Sequence, residues 1–206
     1  MALGDRGQSA AYDFAFFASG GSHFERIHIE GDVIAGFQVD SGGERDLRGY
    51  DAFVMHGQLP APHNAYAFAS SLTPSRYSLE VLSLTLRDWR ERHKGWNLAL
   101  ALHERYGKPV LSIPRNVFAS ERLGAKAQRD EADAGFAALI APLRMMALPD
   151  ALFDEEGRVL RKYFVGYVNV HGRQGPEARI DEWHYNREAG GLILDALIAA
   201  LDAALD

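Results

Sequence analysis

A chain of 206 residues with 47% hydrophobic and 24% charged residues has the make-up of a single globular domain, which excludes a disordered tail or a collagen-like repeat. Lys and Arg total 22 against 28 Asp and Glu, and the formal charge of −6 offers no basic footprint for nucleic acid and no attraction to anionic lipid. Without cysteine there is no disulfide framework, thiol nucleophile or Cys-based metal site, so a nucleophile must be Ser, Thr, Lys or a carboxylate.

The opening MALGDRGQSAA is polar, and residues 1–10 are expected to form a loose N-terminal segment with no signal-peptide core. No stretch approaches the roughly 18 to 20 apolar residues of a membrane span, so a cytoplasmic location is expected. The run AYDFAFFAS, residues 11–19, is apolar and aromatic and stops at Gly20-Gly21, which predicts a buried strand ending in a glycine-rich turn. Residues 32–40 predict a second strand, closed by Ser41-Gly42-Gly43, and residues 50–57 a third, closed ahead of Pro60 and Pro62.

The period then changes. Thr73-Pro74 has the form of an N-cap followed by proline at the first helical position, and Leu79, Leu82, Leu86 and Trp89 recur at helical spacing over about five turns. Gly95 is expected to break that helix. A second helix through Trp96, Leu100 and Leu102 should end at Gly107, with Lys108-Pro109 leading into the strand VLSIP. Residues 120–144 predict an amphipathic helix through Phe136, Leu139, Ile140 and Leu143, and residues 159–170 a strand or an extended active-site wall. From Glu188 onward Leu192, Leu194, Leu197, Ile198 and Leu201 predict a C-terminal helix packed on the sheet.

Strands alternating with helices predict one α/β domain over residues 1–206: an open, mainly parallel sheet covered on both faces, in three layers. Sites in such sheets lie at the carboxyl ends of the strands, which points to residues 19–23, 40–43, 56–64 and 114–116. Two runs there carry chemistry. Ser19-Gly20-Gly21-Ser22-His23 follows the first strand, and its glycines permit a tight turn exposing the Ser22 hydroxyl. Asp181-Glu182-Trp183-His184-Tyr185-Asn186 precedes the last helix; an Asp three residues before a His can hold the tautomer whose Nε2 accepts a serine proton. The blander readings are a polar turn and a helix start capped by Asn186.

Together these runs resemble the SGNH (GDSL-type) hydrolase superfamily, with Gly20-Gly21-Ser22-His23 in the place of its Gly-Asp-Ser motif and Asp181-Glu182-Trp183-His184 in the place of its Asp-x-x-His motif. The resemblance implies a three-layer α/β/α fold and a serine esterase using an acyl-enzyme, with Ser22 as nucleophile, His184 as base and Asp181 orienting it. It also implies an oxyanion hole from the Ser22 N–H, the Gly42 or Gly43 N–H, and an asparagine after the third strand. That last motif reads Gly57-Gln58-Leu59-Pro60 here, leaving the donor role to Gln58, Asn64 or Asn116, with His56 lining the pocket. The expected partner is a small or carbohydrate-linked ester, such as an acetyl ester, with no cofactor, metal, nucleic acid or membrane.

Alternatives on the same residues are acyl transfer at that site or a non-catalytic carbohydrate or polar-ligand module. His23, His28, His56 and His63 form no His-x-x-x-His pair for zinc. The glycine-rich turn followed by Asp40 evokes a dinucleotide-binding half but lacks Gly-x-Gly-x-x-Gly. Trp89, Trp96 and Tyr106 read as packing residues, and Arg87, Arg90, Arg92 and Lys94 as a solvated face or a patch for an anionic substrate.

Overall fold

Four consecutive residues without polar alternation, Val110-Leu111-Ser112-Ile113, form a strand buried along its whole length. Such a run belongs to a parallel strand covered on both faces, and the rest of the fold is arranged around it. The computed structural model describes residues 12–18, 26–40, 42, 45–56, 84, 88, 92, 94–114, 116–165, 167–168, 179–180 and 184–206.

In chain order the strands are β1 (Phe17–Ala18), β2 (His28–Glu30), β3 (Val33–Ala35), β4 (Val39–Asp40), β5 (Phe53–His56), β6 (Val110–Ile113), β7 (Arg144–Met145), β8 (Tyr167–Val168) and β9 (Arg179–Ile180). The helices with bounds in the described residues are α1 (Lys94–Tyr106), α2 (Lys126–Ile140) and α3 (Arg187–Leu205). β5, β6 and β7 form a parallel sheet in that order, with Phe53 opposite Val110, His56 opposite Ile113, and Leu111 opposite Arg144.

Alternation along β5 and β6 divides the core. Phe53, Met55 and Val110 pack with Trp96, Ala99 and Leu102 of α1 and Ile140 of α2. Leu111 and Ile113 pack with Leu197 and Leu201 of α3 and with Met146. At about 1.5–3 kcal/mol for each fully buried large apolar side chain, this central strand contributes heavily to stability for its length. A further cluster, Val117, Leu152, Phe153, Val159, Tyr163, Phe164 and Ala189, lies past the carboxyl end of β6 and against the start of α3.

The described residues thus form a mixed α/β arrangement around a three-stranded parallel sheet, as the α–β alternation predicts. Several elements differ from the sequence expectation, each for a local reason. Among the described residues of the first apolar run only Phe17 and Ala18 join a ladder, and it is antiparallel to β4. Tyr12 and Phe14 instead lie against the α3-side core, so their burial comes from a helix face rather than a strand neighbour. The second run is two strands, not one: β3 turns back on β2 through Gly31, and the chain turns again at Gly36 before β4. Gly36 has φ +77, and a β-carbon there would lie 1.8 Å from the Arg26 carbonyl oxygen, so no straight strand passes this point.

Gly95 does not break a helix. It is buried inside α1, and Leu84, Asp88 and Arg92 are helical too. The roughly 1 kcal/mol penalty of a helical glycine is small beside the burial of Trp96, Ala99 and Leu102, spaced three residues apart on one face. α1 ends as expected at Gly107, φ +63, whose N–H donates to the His103 carbonyl at 2.9 Å. Leu79, Leu82, Leu86 and Trp89 of the predicted preceding helix lie outside the described residues.

α2 stops at Ile140, short of the predicted 144. Leu143 enters the core and Arg144 and Met145 become the third parallel strand. Residues 159–168 are not one strand but an isolated bridge at Val159, a 3-10 turn over Arg161–Tyr163, a second bridge at Phe164, and β8, which pairs with β9. No helix among the described residues is long and apolar enough to cross a membrane.

Candidate active site

Parallel strands present their carboxyl ends on one edge, where open α/β sheets bind ligands. β5 ends there at His56, and its ladder partner Ile113 ends β6. The His56 side chain keeps access to solvent, yet the protein packed around its ring disfavours the imidazolium and holds its pKa below the usual histidine value. The ring is therefore neutral at pH 7, able both to donate and to accept a hydrogen bond.

Beyond Ile113 the chain continues through half-buried Asn116 into fully buried Val117. Val117 meets the segment that carries His184. Its N–H donates to the Tyr185 hydroxyl at 2.9 Å, and that hydroxyl donates in turn to the Val117 carbonyl at 3.2 Å. Tyr185 also stacks edge-on against Phe164, with ring centroids 5.5 Å apart.

The backbone on either side of Tyr185 is held as well. Val165 N–H donates to the His184 carbonyl at 2.9 Å, Asn186 N–H donates to the Tyr163 carbonyl at 2.7 Å, and Phe164 and Tyr185 form an antiparallel bridge. Asn186 then caps α3: its Oδ1 accepts from Ala189 N–H at 3.1 Å, and its Nδ2 donates to the Lys162 carbonyl at 2.5 Å. The helix-start reading of this run is thus correct for Asn186, and it leaves the exposed His184 just upstream, on a segment fixed from both sides.

The other sequence candidates are placed less completely. Ser22, Asp181, Gly43, Gly57, Gln58 and Asn64 lie outside the described residues. Gly42 follows β4, which is not part of the parallel sheet, in a left-handed conformation with φ +77. Its N–H donates to Asp40 Oδ1 at 2.9 Å, so an oxyanion at that point would compete with a carboxylate already in place. His28 has both ring nitrogens engaged, Nδ1 at 2.6 Å from the Arg26 carbonyl and Nε2 at 2.7 Å from Glu30 Oε1. Arg92, from the basic stretch, pairs with Asp88 at 2.9 Å. Among the described residues no group of three His, Asp or Glu side chains is placed to hold a metal ion.

A groove of about 740 Å³ opens on the opposite, amino edge of the sheet, lined by Asp51, His103, Lys108 and Arg144 among others. Lys108 faces Asp51 at 3.8 Å, and Arg144 donates to the Ala203 carbonyl at 3.0 Å. These cations are engaged by the fold itself, and the groove lies at the edge away from His56 and Asn116. The residue that sequence reasoning passed over is Tyr185. Its position beside His184 was visible, but its partner is 68 residues away and no local pattern names it.

No protein-family model, curated protein or solved structure matches the chain.

Proposed function

We propose that this protein is a serine esterase of the SGNH type, a three-layer α/β/α hydrolase acting on a small or carbohydrate-linked ester. The observation that carries the reading is the tie between Tyr185 and Val117, which joins the His184 segment to the chain leaving the carboxyl end of β6. This is the edge on which the fold class binds ligands. The motif order, Ser22 early and Asp181 and His184 just ahead of the last helix, is the second support.

In the proposed mechanism Ser22 Oγ attacks the ester carbonyl while His184 takes its proton, and Asp181 holds the imidazolium. His184 returns the proton to the leaving alcohol, and water then attacks the acyl-enzyme with His184 again as base. The Ser22 N–H and Gly43 N–H are assigned to the oxyanion, with Gln58, Asn64 or Asn116 as the side-chain donor; neutral His56 at the end of β5 lines the pocket. Acyl transfer to an acceptor alcohol uses the same groups with the alcohol in place of water.

A fluorophosphonate probe and a small aryl acetate test the reading. Wild-type protein should label and turn over, and Ser22→Ala and His184→Ala should each lose both. Labelling that persists in a folded Ser22→Ala protein excludes Ser22 as nucleophile, and a wild type that neither labels nor turns over favours a non-catalytic polar-ligand module.

A further inference from the structure

His184 is exposed and lies two residues ahead of Asn186, the N-cap of α3. A general base has to be held to within a fraction of an ångström, because a displacement of about 1 Å costs on the order of 10²-fold in rate. Backbone hydrogen bonds tie the segment to residues 163–165, and those residues lie in a 3-10 turn and its exit, not in the sheet. Tyr185 makes side-chain contact with the chain leaving the sheet's carboxyl end: its hydroxyl both accepts from and donates to the main chain of Val117.

Val117 is a firm anchor. Its side chain is 1% exposed and belongs to the same cluster as Phe153, Tyr163, Phe164 and Ala189, so it is fixed by packing. The hydroxyl takes one donor and one acceptor on a single residue, which sets the Tyr185 ring both in distance and in direction, and the edge contact with Phe164 sets its tilt. Asn186, on the other side, is fixed by its cap to α3.

We infer that Tyr185 is the positioning residue for His184: its hydroxyl sets the register between the His184 segment and the chain leaving β6. The inference rests on the proposed esterase reading for its catalytic consequence, while the geometric claim stands apart from it. The hydroxyl is bonded to the Val117 main chain and acts on His184 through the backbone of its neighbour.

Tyr185→Phe removes the hydroxyl and keeps the ring. In the folded variant kcat for the aryl acetate should fall by about 10- to 100-fold with KM changed by less than about twofold, and the ring resonances of His184 should move in NMR spectra recorded across the pH range. Leu152→Ala is the control for a structural role; it opens a void in the same buried cluster but keeps the Tyr185 hydroxyl and its Phe164 contact, so it should lower thermal stability and leave kcat and the His184 resonances near wild type. Unchanged His184 resonances in folded Tyr185→Phe overturn the proposal. If wild-type protein proves inactive, the esterase reading fails and the His184 resonances alone decide. If Tyr185→Phe does not fold, 3-fluorotyrosine at position 185, which alters the acidity of the hydroxyl while keeping the ring, is read by the same resonances.

Discussion

Gly157 and Gly124 meet backbone to backbone: a β-carbon on Gly157 would stand 2.2 Å from the Gly124 carbonyl oxygen and 2.7 Å from its nitrogen. The two loops are joined by Leu123 N–H to the Gly157 carbonyl at 3.0 Å and Gly124 N–H to the Glu156 carbonyl at 3.1 Å. Gly157 has φ +76 as well, so a side chain is opposed by both conformation and space. Gly157→Ala should destabilise the protein by about 2–4 kcal/mol. Gly31→Ala, at φ +59 with open space around it, should lose only about 1–2 kcal/mol. Urea denaturation of the two variants compares them directly, and equal losses would contradict the close approach.

Ser112 lies at the centre of the buried sheet, 2% exposed, and its hydroxyl has no hydrogen-bond partner among the described residues. An unsatisfied buried hydroxyl costs about 1–3 kcal/mol in lost hydration. Ser112→Ala should therefore be neutral or stabilising by up to about 1 kcal/mol, the small void left by the oxygen offsetting part of the gain. A clear loss of stability in equilibrium unfolding would show that the hydroxyl is satisfied.

Asp133 on α2 is partly buried, and its pKa is pushed up to about 6, first by burial and then by Asp130, with Arg129 and Lys126 acting against the rise and Asp150 adding to it. The native state therefore holds this proton more tightly than the unfolded chain, whose carboxyl titrates at its ordinary value near 3.8. By linkage, the contribution of Asp133 to stability is greatest below that value and is lost as pH rises to about 6. Asp133→Asn should leave stability at pH 4 nearly unchanged and raise it at pH 7 by about 1 kcal/mol, after allowance for solvent screening of a partly exposed group. Urea midpoints at the two pH values check it; a gain of equal size at both would remove titration as the cause.

Asn186 closes the first turn of α3 and also reaches the Lys162 carbonyl. Asn186→Ala should cost about 1–2 kcal/mol, whereas Asn186→Asp, which keeps the capping oxygen but loses the donor, should cost less. The two thermal unfolding midpoints separate the cap from the tie to Lys162. Reversed order would make the tie the larger of the two.

Local chemistry made some of this molecule legible in its sequence. The strand at 110–113, the helix through Trp96, Leu100 and Leu102, the Gly107 stop and the apolar face of α3 are consequences of residue size, period and backbone freedom within a few positions, and they form where the sequence places them, although the buried face of α1 runs through Ala99 and not Leu100. The candidate chemistry at Ser22 and His184 is also a matter of residue type and order. Tertiary structure decided what depends on distant partners. Whether 11–19 and 32–40 paired with the parallel sheet or apart from it turned on Gly36 meeting the Arg26 carbonyl and on Tyr12 and Phe14 finding α3. Arg144 and Met145, two residues beside a helix, became a strand because β6 offered an open edge to pair with. The tie between Tyr185 and Val117 joins positions 68 residues apart, and it exists because buried main-chain groups must find partners wherever the fold brings them.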